Sequence, residues 1–310
     1  MGLPVTIYSS DDAGAPGVIT KPSDLIAVLK ACLVDGYGNK SPLGWSVSFE
    51  DQANAKIVFR NSIADGGTGG AIQVEPTDGD SVGANVSVTA ANQITAIDNF
   101  INNAGNRYFR TNLPNSKGWI VIGTSRGFYF KQRTWRNVIG ENGTSAEYNG
   151  SIMLFVGDLD SFAPSDQGCF TLLANNGSGS ADSYQRMQFS ATSALYCTLY
   201  DTDGGNNATT YSAAVPNYHP IYSESLPDAD FEVSGAPISF MPVQMAGGNS
   251  SSVLAPTCRA IVPGLFLTPF VGFRLRAIPI FINVAGVDYY IDDGAFVSQF
   301  LFQCSGEWYV

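Results

Sequence analysis

Apolar residues recur along this chain in two periods. Just after Pro22, Leu25, Ile26, Leu29, Cys32 and Leu33 return at helical spacing and make one apolar stripe. Ser23 or Asp24 can cap the first amides, and Gly36 stands where a left-handed C-terminal cap belongs. The pattern predicts an amphipathic helix over about 23–35. A weaker stripe of Ile94, Ile97, Phe100 and Ile101 predicts a short second helix over about 92–102. Elsewhere the period is two, or the apolar runs are short and bounded by turn residues. Residues 45–49 alternate, and 55–60 read as their hairpin partner across the turn 51–54. Residues 119–122 and 127–131 make a second hairpin, and 151–156 with 169–173 a further pair. Short strands continue to the last residue. With 33 glycines to supply turns, the pattern predicts a mainly β protein, sandwich- or barrel-like, carrying one N-terminal helix.

Turn residues cluster at 141–145. They divide the chain into a helix-plus-β region over 1–140 and a β region over 141–310, unless they are one long loop within a continuous domain. Two polar stretches, 175–183 and 201–212, are rich in Asn, Gly, Ser and Thr. With almost no apolar anchors, they read as surface loops that are mobile and open to protease.

Composition narrows the function classes. The chain has 310 residues, of which only 14% are charged, against about 25% in a typical globular protein. Such a surface is either covered by neighbours or made of neutral polar residues. The net charge is −11 with 16 Lys and Arg, the wrong sign for displacing counterions from nucleic acid. Arg126, Lys131, Arg133 and Arg136 interleave with Phe128, Tyr129, Phe130 and Trp135, which reads as a strand pair with basic residues facing solvent. The five cysteines are widely spaced and lack a Cys-x-x-Cys motif, so free thiols are expected rather than a zinc or redox site. The opening residues show no basic region followed by an apolar run, and no run of about 18 apolar residues occurs. Neither a signal peptide nor membrane insertion is therefore expected.

Candidate chemistry is thin. His219 is the only histidine, and no Gly-x-Ser-x-Gly elbow accompanies it. The run Asp201-Thr202-Asp203-Gly204-Gly205-Asn206-Asn207 is similar to the start of a calcium loop but lacks its later glutamate. Asp78 with Asp80, Asp158 with Asp160, and Asp292 with Asp293 are other acidic pairs, and turn formation through Asx hydrogen bonds accounts for all of them. Residues 66–70 are Gly-Gly-Thr-Gly-Gly, without the lysine of a phosphate loop. No catalytic, cofactor-binding or metal-binding residue is assigned.

Tyr8 to Pro16 (YSSDDAGAP), the helix Asp24 to Val34, Asp35 to Lys40 (DGYGNK) and Gly44-Trp45 form a moderately specific string. Val58-Phe59-Arg60, the turn 66–70, Trp119 to Val121 and Phe128 to Phe130 follow in order, and Val156 to Leu159 is a later landmark. Over residues 8–135 the chain thereby resembles a family of uncharacterised structural proteins of tailed bacteriophages and prophages of proteobacteria. The resemblance implies a virion component made in the host cytoplasm, in the tail apparatus or on the head, with no enzyme activity or cofactor.

The expected function is that of a non-enzymatic structural protein repeated in symmetric copies. A tail or baseplate position is favoured over capsid decoration. Its partners would be copies of itself and other virion proteins. The aromatic C-terminus, with Phe296, Phe300, Phe302, Trp308 and Tyr309, offers an assembly contact or a last strand pair in the core. The alternative is a carbohydrate- or receptor-binding module at the tail tip. Its support is the Tyr content and the two polar loops, which could engage a host surface glycan.

Overall fold

A computed structural model describes residues 2–112, 116–134, 152–175, 195–214, 240–247, 252–268, 280–292 and 299–310. The first strands are β1 (Leu3–Pro4) and β2 (Thr6–Ser9), followed by α1 (Pro22–Lys30) with a π-helical turn at Ala31–Asp35. Five strands come next: β3 (Ser46–Asp51), β4 (Lys56–Arg60), β5 (Ala71–Pro76), β6 (Asn85–Ala96) and β7 (Asn99–Arg110). Then come β8 (Ser116–Gly123), β9 (Gly127–Thr134), β10 (Ile152–Asp158), β11 (Asp160–Ser161), β12 (Phe170–Asn175), β13 (Leu195–Leu199) and β14 (Thr209–Ala214). The last are β15 (Met241–Gly247), β16 (Cys258–Thr268), β17 (Ile280–Val284), β18 (Val287–Asp292), β19 (Gln299–Gln303) and β20 (Glu307–Trp308). Among the described residues they form a five-stranded sheet β3-β4-β5-β6-β7, a thirteen-stranded sheet and the pair β1-β20. The large sheet runs β17-β18-β19-β16-β15-β14-β13-β12-β10-β9-β8-β2, with β11 beside β16. All pairing is antiparallel, and the chain is mostly β with one short helix, a sandwich-like fold.

The helix begins where expected, with Asp24 as a cap and Gly36 closing the π-helical turn at φ +76°. Asp24 accepts from the backbone N of Thr20 at 2.9 Å and of Lys21 at 3.1 Å. The amide of Ser23 is met from far along the chain by Asp80, at 2.8 Å. Burial works to raise the Asp80 carboxyl, and its bonds from Ser23 and Lys21 outweigh that and hold it below the ordinary range. Leu25, Val28, Leu29, Cys32 and Leu33 are buried; Ile26 is half-buried at the stripe's rim.

That stripe covers one face of a layer that is buried on both. All seven residues of β10 are buried. Ile152, Leu154 and Val156 pack with the helix and with Ile57, Phe59, Ile72 and Val74 of the five-stranded sheet. Met153 and Phe155, pointing the other way, pack with Val243, Met245, Val262, Phe300 and Phe302. The same split divides Trp119 and Val121 from Ile120 and Ile122, and Phe128 and Phe130 from Tyr129. Period two thus sorts one set of strands between two cores. Because the second core is built from strands far along the same sheet, that sheet must curl back over β8, β9, β10 and β12. β9 pairs with β10 across the 141–145 turn cluster, which itself lies outside the described residues.

The second expected helix, over 92–102, is a correction. These residues are the end of the β6–β7 hairpin. Ile94 pairs with Phe100, and the turn falls at 97 and 98, with Asp98 at φ +63°. Spacing of three arises because 94 and 100 lie symmetrically about residue 97. All three side chains fold onto Val58, Ala71 and Ala91, on the outer face of the five-stranded sheet. Asp98 fastens the tip by accepting from Lys56 Nζ at 2.7 Å and Gln73 Nε2 at 2.6 Å.

Leu29 is 3% exposed in the first core. Leu29→Asp buries an unpaired carboxylate at a cost comparable with whole-domain stability. The expected outcome is insoluble protein on expression; a soluble variant with unchanged melting temperature would contradict the packing described.

Candidate functional site

Several motifs from the sequence converge on Asp158, at the end of β10. Gly157 precedes it at φ +145°, and a Cβ there would lie 2.3 Å from the Cα of Gly127, so only glycine lets the strands come this close. The Asp158 side chain is fully buried. Its Oδ1 accepts from Thr68 Oγ1 at 2.6 Å. Its Oδ2 accepts from the amide of Thr68 at 3.0 Å, from Asn61 Nδ2 at 3.0 Å and from Arg126 Nε at 3.4 Å. The Asp158 carbonyl takes the Tyr309 hydroxyl at 2.7 Å, and the Arg126 guanidinium lies 4.0 Å from the centre of the Tyr309 ring. The junction ties the Gly-rich turn, the β8–β9 hairpin and the C-terminus to the central layer. Residues 66–70 serve as an internal clamp, and Gly70 packs flush against Phe170. Burial raises the Asp158 carboxyl above the ordinary carboxylate range, against the hydrogen bonds from Thr68 and the charge of Arg126.

A second constellation has no counterpart in the sequence reading. Arg259 and Asp166 form a two-pronged ion pair, Nε to Oδ2 at 2.6 Å and Nη2 to Oδ1 at 2.8 Å. Arg259 is 0% exposed and Asp166 7%. Arg259 also donates to the carbonyls of Leu254 at 3.1 Å and Tyr200 at 2.7 Å, while Ser161 Oγ donates to Asp166 at 2.6 Å. A charged residue opening the otherwise apolar run 258–268 was the available signal.

Next to this pair the polar stretch 201–212 lies at the surface as expected over 203–208, but it is anchored by hydrogen bonds and becomes a strand from 209. The amide of Thr202 donates to Leu254 O at 3.1 Å, and that of Gln167 to Thr202 O at 3.0 Å. Asp201 Oδ2 accepts from Asn207 Nδ2 at 2.6 Å, Asp203 Oδ1 from the Gly205 amide at 2.9 Å, and Asn102 reaches Gly205 O at 3.2 Å. Residues 209–212 belong to β14, with Tyr211 buried. Polar bonds do the anchoring that apolar residues do elsewhere. Asp203 forms an Asx turn and Asp201 a side-chain bond, and among the described residues no three His, Cys, Asp or Glu side chains are grouped as metal ligands.

The other motifs separate. Asp80 serves the helix, and Asp78 is exposed. His219, Asp293, residues 176–183, Trp135, Arg136 and Phe296 lie outside the described residues, as do the side chains of Arg133 and Asp292. Phe128, Tyr129 and Phe130 are buried in the two cores and offer no face for stacking bases. Lys131, expected on a solvent face, is 4% exposed, with its ammonium 5.4 Å from the centre of the Tyr290 ring. Phe300, Phe302, Trp308 and Tyr309 lie in the chain's own second core, so the expected assembly contact is an internal one. Burial pushes the Cys197 and Cys304 thiols up to about 12, far from a reactive thiolate. A groove of about 300 Å³ lies on the outer face of the five-stranded sheet, between β3 and the end of β6.

Neither a scan against protein-family models nor a search of the curated proteins gave a match to this chain.

Two outcomes follow from the buried charges. With the native carboxyl of Asp158 raised, the folded protein takes up this proton before the unfolded chain does, whose value is about 3.9. Its contribution to stability therefore grows as pH falls through the native value, levelling off below about 3.9. Urea unfolding from pH 8 to 4 should show wild type gaining on Asp158→Asn, by about 1.4 kcal/mol per pH unit separating the two values. A gain with rising pH would contradict the assignment. Arg259→Ala leaves Asp166 buried and unpaired, at about 3–5 kcal/mol. Limited proteolysis followed by mass spectrometry should find residues 201–207 resistant in wild type and cut in the variant.

Proposed function

We propose that the chain is a non-enzymatic structural protein of a tailed-phage virion, assembling in symmetric copies, with the tail or baseplate favoured over capsid decoration. The observation that supports assembly most directly is the edge strand β17. Its sequence, Ile-Phe-Ile-Asn-Val, carries no charge and no proline. Among the described residues it pairs with β18 alone, and Phe281 is 50% exposed. A solitary protein blunts such an edge, because unpaired backbone groups on an apolar strand invite another chain. A subunit uses it as a pairing edge, and an edge that adds strands in one direction suits rings or stacks such as those of a tail. The low charge of the chain and the resemblance over residues 8–135 support the same reading. The buried constellations fit it as well, since Asp158, Asp166 and Arg259 hold layers together.

A second reading, recognition of a host surface glycan at a tail tip, is favoured by the groove on the five-stranded sheet and by the hydrogen-bonded polar loop 201–207. In the first reading, light scattering at micromolar concentration should show a species larger than the monomer, and Phe281→Lys should weaken association at least tenfold. Gold-labelled antibody should mark the tail of intact particles. A monomer that does not associate with purified particles would contradict the proposal, and label confined to the capsid shell would move the protein to the head.

A further inference from the structure

The groove on the outer face of the five-stranded sheet combines an aromatic ring, a cation and neutral hydrogen-bonding groups. Phe49 of β3 is half-buried at one wall, packed beside Val58 and Ile94. Ser48, Gln93 and Thr95 are exposed around the rim. Arg60, at the end of β4, provides the charge. Its Nε donates to the carbonyl of Gly69 at 2.9 Å, and its Nη2 would lie 2.8 Å from a Cβ on that residue. The guanidinium is therefore seated flat against a glycine, fixed through one nitrogen, with the Nη groups left for a ligand.

Lys21, Lys30, Lys40, Lys56, Arg126 and Arg259 each have a carboxylate partner within 4 Å. Like Arg107 and Arg110, Arg60 has no carboxylate within ion-pair distance among the described residues, and of the three it alone lines the groove. No acidic residue lines the groove. The neighbouring Glu50 is engaged by Lys30 at 3.1 Å. On a chain of net charge −11, a locally unopposed guanidinium selects anions by its own fork, since the overall field repels them. The volume lies at the lower end of the ~300–1,000 Å³ range of small-molecule sites, enough for one ring rather than a long ligand.

We propose that this groove is a subsite for a carboxylated sugar residue of an acidic polysaccharide. The sugar carboxylate pairs with Arg60, the apolar face of the ring lies on Phe49, and Ser48, Gln93 and Thr95 meet its hydroxyls. The inference rests on the glycan-recognition reading and is independent of where the protein sits in a particle.

Calorimetry and saturation-transfer NMR on the full chain test it, with trigalacturonate and its methyl ester as probes. The ester keeps every ring and hydroxyl and removes only the charge. Trigalacturonate should bind with saturation, and the ester at least tenfold more weakly. Arg60→Gln should weaken trigalacturonate binding at least tenfold with little change in melting temperature. Arg60→Lys, which keeps the charge and loses the fork, should fall between. Arg110→Gln, at an exposed arginine of β7, should bind like wild type. Equal binding of acid and ester, or binding indifferent to Arg60→Gln, would overturn the carboxylate assignment while leaving glycan recognition standing. No binding of either probe overturns the subsite; a glycan array then decides the broader reading, and an array without hits removes that too.

Discussion

Four strands buried on both faces set the terms for the rest of this structure. In β8, β9, β10 and β12 successive side chains enter different cores, so both kinds of position must be apolar and both faces need a cover. The helix and the five-stranded sheet provide one cover. The C-terminal strands provide the other, and they can do so only because the large sheet curls. Trp119, Phe128, Phe155 and Trp308 are each at 2% exposure or less, which places the heaviest side chains of both halves against this one layer.

A doubly buried layer leaves little tolerance for polar atoms. Gln132 of β9 donates to the carbonyl of Thr111 at 2.7 Å while its Oε1 has no partner among the described residues. The buried charges Asp158, Asp166 and Arg259, in and beside the layer, have several partners each. Asp158 has four hydrogen bonds to its carboxylate, from the β4–β5 connection and the β8–β9 turn. The Asp166–Arg259 pair is sealed from water and completed by the carbonyls of Leu254 and Tyr200. Buried ion pairs of this sort add little net stability relative to apolar packing, because desolvation offsets attraction, but losing one partner is costly. Their value here is in position. Asp158 fixes where the C-terminal Tyr309 docks, and Arg259 fixes the loop 201–207.

The outward surfaces show the converse. On the five-stranded sheet, the β6–β7 hairpin folds its own tip over an apolar patch and ties it down through Asp98. A groove with an unopposed arginine remains beside that tip, and an uncharged edge remains at β17. Among the described residues, both are places where the chain's own groups leave interactions unmet. The two readings of function draw on these surfaces rather than on any buried residue.

The amino-acid sequence by itself determined the features whose partners lie close along the chain. The helix after Pro22, the hairpin joining β3 and β4, the hairpin joining β8 and β9, and the mainly β character all follow from local periodicity and turn residues. The short run 94–101 misled because a helix and a symmetric hairpin both return apolar residues every three positions, and only the sheet beneath decides which forms. Tertiary structure alone decided the rest. Asp166 meets Arg259 across 93 positions, Asn61 meets Asp158 across 97, and Tyr309 meets Asp158 across 151. Nothing in local spacing marks such pairs. The polar loop 201–207 looked unanchored for the same reason, since its anchors are hydrogen bonds to residues 102, 167 and 254. The C-terminal aromatics looked like a contact surface because period two shows that a face is apolar without showing what covers it.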